Sequence, residues 1–491
     1  MRSRANIRIP DSRVRRYRTA LCGQCGLLVL LLAGAIVDPA SYASYEALIY
    51  PLCVLLLTVF VWSIFSWKLV TGSLIDPYVL FLSAAALFNG GQAFLEVFHL
   101  NERGILDGSF SSETLFKTLC LVLITLVALH FGALISAGMM RRPDSRNSVA
   151  PETRLDTRII GWTLVLISFL PTVIYIQSCL SIVMSYGYAG LYREGFSIGF
   201  GSIFRVLAIF LVPGALFLLA GSRGARLNII IASVLLLLFS VTNLFMGHRT
   251  SGGYPLLAFA WLWHKTIRPL STRTLVTFAL VMMIVLPLVA SIRSISGEDR
   301  SSLAFIYEAF LLTENPLVAV VREMGGSMGT ICYTTELVPW VRHFDNGMGY
   351  LRASMTLVPS LYWGSGETYG SWLTWTILPR FAKIGGGMGF SFVAEAYANF
   401  GWIGVPVFMF VLGLLYARLV LWVELSKDVA CKAMMASFVV FFIAYSRGES
   451  AGEVGRLFWA AYVPYLAVVQ LRYLRAKAQL TKNDGIILDK V

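Results

Sequence analysis

Residues 113 to 137 read ETLFKTLCLVLITLVALHFGALISA, and from Thr118 to Ala137 they contain no Asp, Glu, Lys or Arg. At a rise of about 1.5 Å per residue such a run is about 30 Å long as a helix, the thickness of a bilayer's hydrocarbon layer. In that solvent the backbone must satisfy its own amides, so helix is the conformation the run predicts. The pattern recurs near 20 to 37, 47 to 67, 75 to 99, 159 to 178, 203 to 221, 227 to 246, 251 to 264, 274 to 292, 390 to 420, 431 to 446 and 456 to 472. The expected fold is an all-α polytopic membrane protein with about twelve transmembrane helices, the eighth being the shortest.

Composition points the same way. With 57% hydrophobic and 14% charged residues in 491, there is too little polar side chain to cover a water-soluble globule. Residues 1–19 form a basic tail carrying Arg2, Arg4, Arg8, Arg13, Arg15, Arg16 and Arg18. The apolar run behind it has no small-residue cleavage site and is followed by span after span, so it is expected to be a retained first helix. Basic residues resist translocation, which places the tail and the loops holding Arg141, Arg142, Arg146, Arg154, Arg158, Lys265, Arg268 and Arg273 in the cytoplasm. Arg472, Arg475 and Lys477 put the C-terminal tail on the same side, and the short outer loops hold only Arg103, Lys117, Arg193, Arg205, Arg249, Arg447 and Arg456. The net charge of +13 is then a sorting signal and an attraction to anionic lipid, not a nucleic-acid footprint.

The chain thus divides into the tail, spans 1 to 9 over 20–292, a long outer segment over 293–388, and spans 10 to 12 with the C-terminal tail over 389–491. Long loops carry function more often than short ones. Within this one, Ser301 to Glu323 alternates apolar residues with Glu308, Glu314 and Arg322, the pattern of interfacial amphipathic helices resting as a lid. Trp340, Tyr350, Tyr362, Trp363, Tyr369, Trp372 and Trp375 follow, and fit either a head-group aromatic belt or a platform for sugar rings.

Several chemistries lack their residues. No GxxxxGK[ST] or strand-flanked GxGxxG provides for nucleotide, HExxH is missing, and the five histidines are dispersed, so no cofactor or metal is expected. Gly325, Ser327 and Gly329 match GxSxG without the strand that a nucleophile elbow needs. Cys22 and Cys25 have CxxC spacing but no second pair, while Cys179 and Cys332 both fall outside, a placement that allows a disulfide. No internal repeat marks the halves of a transporter.

What remains is a set of arginines at outer span ends. Arg193 lies in SYGYAGLYREG (185–195), Arg249 in FMGHRTSGG (245–253), Arg293 where the ninth span opens into the long loop, and Arg380 in LPRF near that loop's end. Arginine is costly to desolvate, and its planar fork matches pyrophosphate. Each one also fits the simpler description of an arginine snorkelling to lipid phosphate.

The stretch LPRFAKIGGGMGFSFVAEAYANFGWIGVPVFMFVLGLLYARL, Leu378 to Leu419, resembles the region of Wzy-type O-antigen polymerases where the large periplasmic loop re-enters the membrane. The shared features are the glycines Gly385 to Gly387, the acidic Glu395, the Asn399, Phe400, Gly401 triplet and the Gly247 to Arg249 GHR. The resemblance implies a fold similar to the GT-C-like transferases of lipid-linked sugars, sited in a bacterial inner membrane with its active site facing the periplasm. It also implies the reaction: transfer of a growing glycan from undecaprenyl pyrophosphate to the terminal hydroxyl of the next lipid-linked repeat unit, with a chain-length regulator as a further partner. In that reaction Arg193, Arg249, Arg293 and Arg380 would bind the pyrophosphate, and Glu395 or else His248 would be the base. Glu395 equally fits a helix-terminal carboxylate. An O-antigen ligase, or a transporter or flippase of the same lipid-linked oligosaccharide, are the alternatives.

Overall fold

The computed structural model describes residues 11–36, 45–102, 104–139, 152–192, 202–271, parts of 273–289, 315–358 and 367–488. In chain order the helices are α1 (Asp11–Ile36), α2 (Tyr45–Thr71), α3 (Pro77–Val97), α4 (Ser112–Met139), α5 (Glu152–Tyr186), α6 (Ser202–Ala208), α7 (Leu211–Gly221), α8 (Arg226–Met246) and α9 (Arg249–Thr266). After the next described stretch come α10 (Pro316–Met324), α11 (Ser327–Leu337), α12 (Met348–Met355), α13 (Tyr369–Ile377), α14 (Pro379–Lys383), α15 (Phe392–Leu425), α16 (Val429–Tyr445), α17 (Ser450–Arg456) and α18 (Val463–Leu488). There is no strand among the described residues.

Eight of the described helical segments are long and apolar enough to cross a bilayer, against the twelve spans expected. Part of the apolar run of α1 falls outside the residues whose side chains are described. α9 begins with the polar RTSGG and ends in His264 and Lys265, which lowers its hydropathy. α16 has only 17 residues, about 25 Å of helix. The ninth expected span, 274 to 292, falls largely outside the described residues, as does the part of the expected lid before Asn315.

The chain divides into two compact units. Unit 1 comprises Met1–Pro143, Val321–Met348 and Phe390–Trp422. Its centre is α3, buried along most of its length. α4 and α15 cross where glycines face each other: a Cβ at Gly132 would sit 2.0 Å from the Phe410 carbonyl, and one at Gly413 would sit 1.9 Å from that of Leu129. Lipid offers no hydrophobic drive between helices, so this backbone approach and its van der Waals contact hold the pair. A polar pin adds to it: His130 on α4 contacts Ser66 Oγ at 2.7 Å and Tyr78 Oη at 3.0 Å, all buried. Trp67 Nε1 donates to Asp76 (2.7 Å), which also caps α3 by accepting from Val79 N (3.0 Å).

The GxSxG stretch serves as a packing turn in unit 1. Ser327 begins α11 and is buried, and Gly325 stacks its Cα against Gly91 of α3. No elbow is formed.

Unit 2 comprises Asp144–Val320, Gly349–Gly389 and Val423–Val491. α5 packs on the fully buried α7, and α16 packs against α7 and α9. One end is tied by charge. Arg472 forks onto Asp428 (2.6 and 2.9 Å), whose carboxylate also caps α16 by accepting from Ala430 N. Arg475 pairs with the buried Asp156, and Lys265 with Glu424 (2.8 Å). These contacts join ends of α5, α9, α15, α16 and α18.

Candidate functional site

Glu395 lies in the first turn of the α15 of unit 1, 1% exposed among the equally buried Asn89, Ser391 and Asn399. The capping position lies four residues before it. That place is taken by Ser391, whose hydroxyl accepts from Val393 N (3.1 Å) and donates to Asn89 Oδ1 (2.6 Å), and Asn399 Nδ2 reaches back to the Glu395 carbonyl (2.8 Å). The Asn399, Phe400, Gly401 triplet ends this buried segment. Gly401 adopts φ +63°, a left-handed value that glycine alone takes without strain, and breaks α15 there. The break frees the carbonyls of Ala398 and Asn399, and the loop answers with Asp345 N (3.0 Å) and Asn346 N (2.9 Å).

The remaining described candidates lie in unit 2. α8 ends at Gly247, again left-handed (φ +97°), so the chain turns sharply and presents His248 and then Arg249 at the start of α9. His248 meets the Tyr188 ring edge-on at 5.3 Å, and Tyr188 shares a 2.8 Å hydrogen bond with Tyr192. Tyr192 immediately precedes Arg193. Arg380 is exposed on α14, and the turn after that helix closes on the same place: a Cβ on Gly385 would lie 1.3 Å from the Tyr192 carbonyl, and its φ is +80°. Three segments far apart in sequence, 188–192, 247–249 and 379–385, therefore meet within one unit. Arg193 and Arg293 themselves lie outside the described residues.

The loop behind this meeting point is anchored from α13. Glu449 accepts from Tyr369 N (2.7 Å) and Gly370 N (3.1 Å), and Thr374 Oγ1 accepts from Met388 N (3.1 Å). The stretch SRGESAGEVGR, 446–456, was not singled out from sequence beyond the outer placement of its arginines. Its signal is two acids and two arginines close together at the ends of apolar helices, where each charge is costly. Glu453 is 8% exposed, with Oε1 at 3.3 Å from Arg456 Nη1.

The cysteines take no part. All seven are free, so Cys179 and Cys332 are not bridged: Cys179 packs with Val183 and Met246, and Cys332 accepts from Thr118 Oγ1 at 3.4 Å. Burial pushes the Cys332 thiol up to about 12. No His, Cys, Asp and Glu cluster suited to a metal occurs among the described residues. The aromatic residues of the long segment divide, with Trp340 84% exposed and Tyr369 buried.

No individual curated protein and no solved structure matches the chain. A family model does, that of the O-antigen polysaccharide polymerase Wzy, over residues 26–478 of the 491. The match takes in both units and the unmatched residues are confined to the two ends, so the chain belongs to the O-antigen polysaccharide polymerase Wzy family.

Proposed function

We propose that the protein transfers a growing glycan from undecaprenyl pyrophosphate to the terminal sugar hydroxyl of the next lipid-linked repeat unit, on the periplasmic face of a bacterial inner membrane. The observation that carries this reading is the meeting of the Tyr192 turn, the His248 and Arg249 turn and the Arg380 helix in unit 2. Arg249 and Arg380, with Arg193 one residue beyond Tyr192 and Arg293 from the long segment, bind the pyrophosphate. Their guanidinium groups offset the charge that grows on the departing phosphate oxygen, so the leaving group departs without a nucleotide. The acceptor hydroxyl loses its proton to a base, for which the sequence nominates Glu395 and then His248. Family membership favours polymerisation over ligation. A chain-length regulator is a further expected partner.

The glycan profile of a deletion strain tests the assignment. Loss of a polymerase leaves a single repeat unit on the lipid. Bare lipid beside carrier-linked polymer would identify a ligase, and loss of both would point to a flippase.

A further inference from the structure

Within unit 2, Glu453 is placed unlike a structural carboxylate. It sits on α17, and Oε1 is held by Arg456, while Oε2 is buried with no hydrogen-bond partner among the described residues. The Tyr254 hydroxyl, on the first turns of α9 just past His248 and Arg249, is likewise buried without a partner there. Both groups lie near ends of helices expected to face outward, Glu453 on α17 with Arg456 Nη1 at 3.3 Å and Tyr254 in the first turns of α9. Buried polar atoms are nearly always paired, and one left open is kept where something else comes to pair with it.

The backbone beyond the carboxylate is also irregular. Leu457–Tyr462 winds as a π segment, an arrangement that recurs at functional sites because it displaces side chains from regular helical positions.

From this geometry we infer that Glu453 is the catalytic base for the acceptor, with Tyr254 orienting the acceptor's hydroxyl. The inference rests on the polymerase reading above and replaces Glu395 and His248 in that role. The acceptor O–H proton passes to Glu453 Oε2 as the hydroxyl oxygen forms its bond to the anomeric carbon of the donor. The bond from that carbon to the pyrophosphate oxygen breaks, and its electron pair leaves with the polyprenyl pyrophosphate. Glu453 ends as the neutral acid and returns its proton to water. Arg456 keeps the carboxylate oriented throughout, and Glu395, held among Asn89, Ser391 and Asn399, supports the fold of unit 1.

The test uses the full chain in nanodiscs with undecaprenyl pyrophosphate-linked repeat units, and reads two quantities: the rate of glycosidic bond formation and the affinity for undecaprenyl pyrophosphate itself. Glu453→Gln preserves the contact with Arg456 and is expected to lower the rate at least a hundredfold with affinity unchanged within threefold. Tyr254→Phe is expected to lower the rate about tenfold. A structural role would instead move rate and affinity together, and that result, or a Gln variant within threefold of wild type, overturns the proposal. Should the Gln variant fail to fold, Glu453→Asp carries the test, because it keeps the charge on Arg456 but withdraws the carboxylate by one methylene. Its rate is expected to fall more than tenfold with affinity intact, and a wild-type rate overturns the proposal. A wild-type chain that binds undecaprenyl pyrophosphate yet forms no bond overturns the polymerase reading and this inference with it, whereas normal wild-type polymer beside an active Gln variant overturns this inference alone.

Discussion

Removing the Glu449 carboxylate should loosen the segment that carries Arg380. α13 begins with backbone N–H groups that have no partner inside the helix. Thr368 accepts from Ser371 N at 3.2 Å, and Glu449, about eighty residues away, accepts from Tyr369 N and Gly370 N at 2.7 and 3.1 Å. Hydrogen bonds to a charged acceptor contribute about 1.5–3 kcal/mol each, and two on one carboxylate are not additive, so Glu449→Ala should cost about 3 kcal/mol of local stability. At about 1.4 kcal/mol per factor of ten, α13 should open roughly a hundredfold more often. Glu449→Gln keeps one oxygen acceptor but turns an NH2 toward the other N–H, and should fall between Ala and wild type. Hydrogen exchange read by mass spectrometry on the full chain in nanodiscs measures this directly. The peptide covering 369–377 should exchange faster in Glu449→Ala, with the peptide covering 226–246 unchanged as control. Exchange within about twofold of wild type at 369–377 would refute the reasoning, because the two hydrogen bonds would then carry no local stability.

Other outcomes follow from the same contacts. Arg249→Ala and Arg380→Ala should each shorten the glycan ladder with turnover reduced about tenfold, the value of one lost charge-assisted hydrogen bond. Lys at either position should rescue only in part, since it keeps the charge without the fork, whereas a snorkelling arginine would be replaced by Lys at full activity. Cys332, its thiol pushed up to about 12 by burial, stays protonated at neutral pH and should resist maleimide in the folded protein while reacting in detergent-denatured protein; equal labelling in both would show the site open. Arg472→Met leaves Asp428 without its fork and Asp156 with Arg475 alone, and should destabilise the protein by about 2 kcal/mol, read as a lower melting temperature in detergent.

The parts of the fold legible in the sequence were those set by solvent. Apolar runs locate most of the helices because lipid forces backbone hydrogen bonds inward, and the sharp turn at Gly247 and the break at Gly401 fall on the glycines of the GHR and NFG stretches. The span count was less legible, because polar ends such as RTSGG at the start of α9 lower a helix's hydropathy without breaking it. Roles that depend on distant segments meeting were hidden. Nothing local to Glu449 says that it caps a helix starting at Tyr369, and nothing local to Glu395 says that Ser391 takes the capping position. Glu453 escaped for the same reason: its open oxygen is a property of the packing around it, while in sequence it reads as an ordinary loop acid beside Arg456. Arg249 and Arg380 stand out in the sequence as arginines near the ends of apolar runs, whereas the closeness of the 188–192, 247–249 and 379–385 segments does not.

The central claim concerns the bond formed and the group released. The measurement that addresses it most directly is an incubation of the purified full chain with undecaprenyl pyrophosphate-linked repeat units, followed by mass spectrometry of the lipid fraction. Lipid-linked oligomers at integer multiples of the repeat are expected, with one undecaprenyl pyrophosphate set free for each new glycosidic bond. Unchanged single repeats, with no undecaprenyl pyrophosphate released, would contradict it.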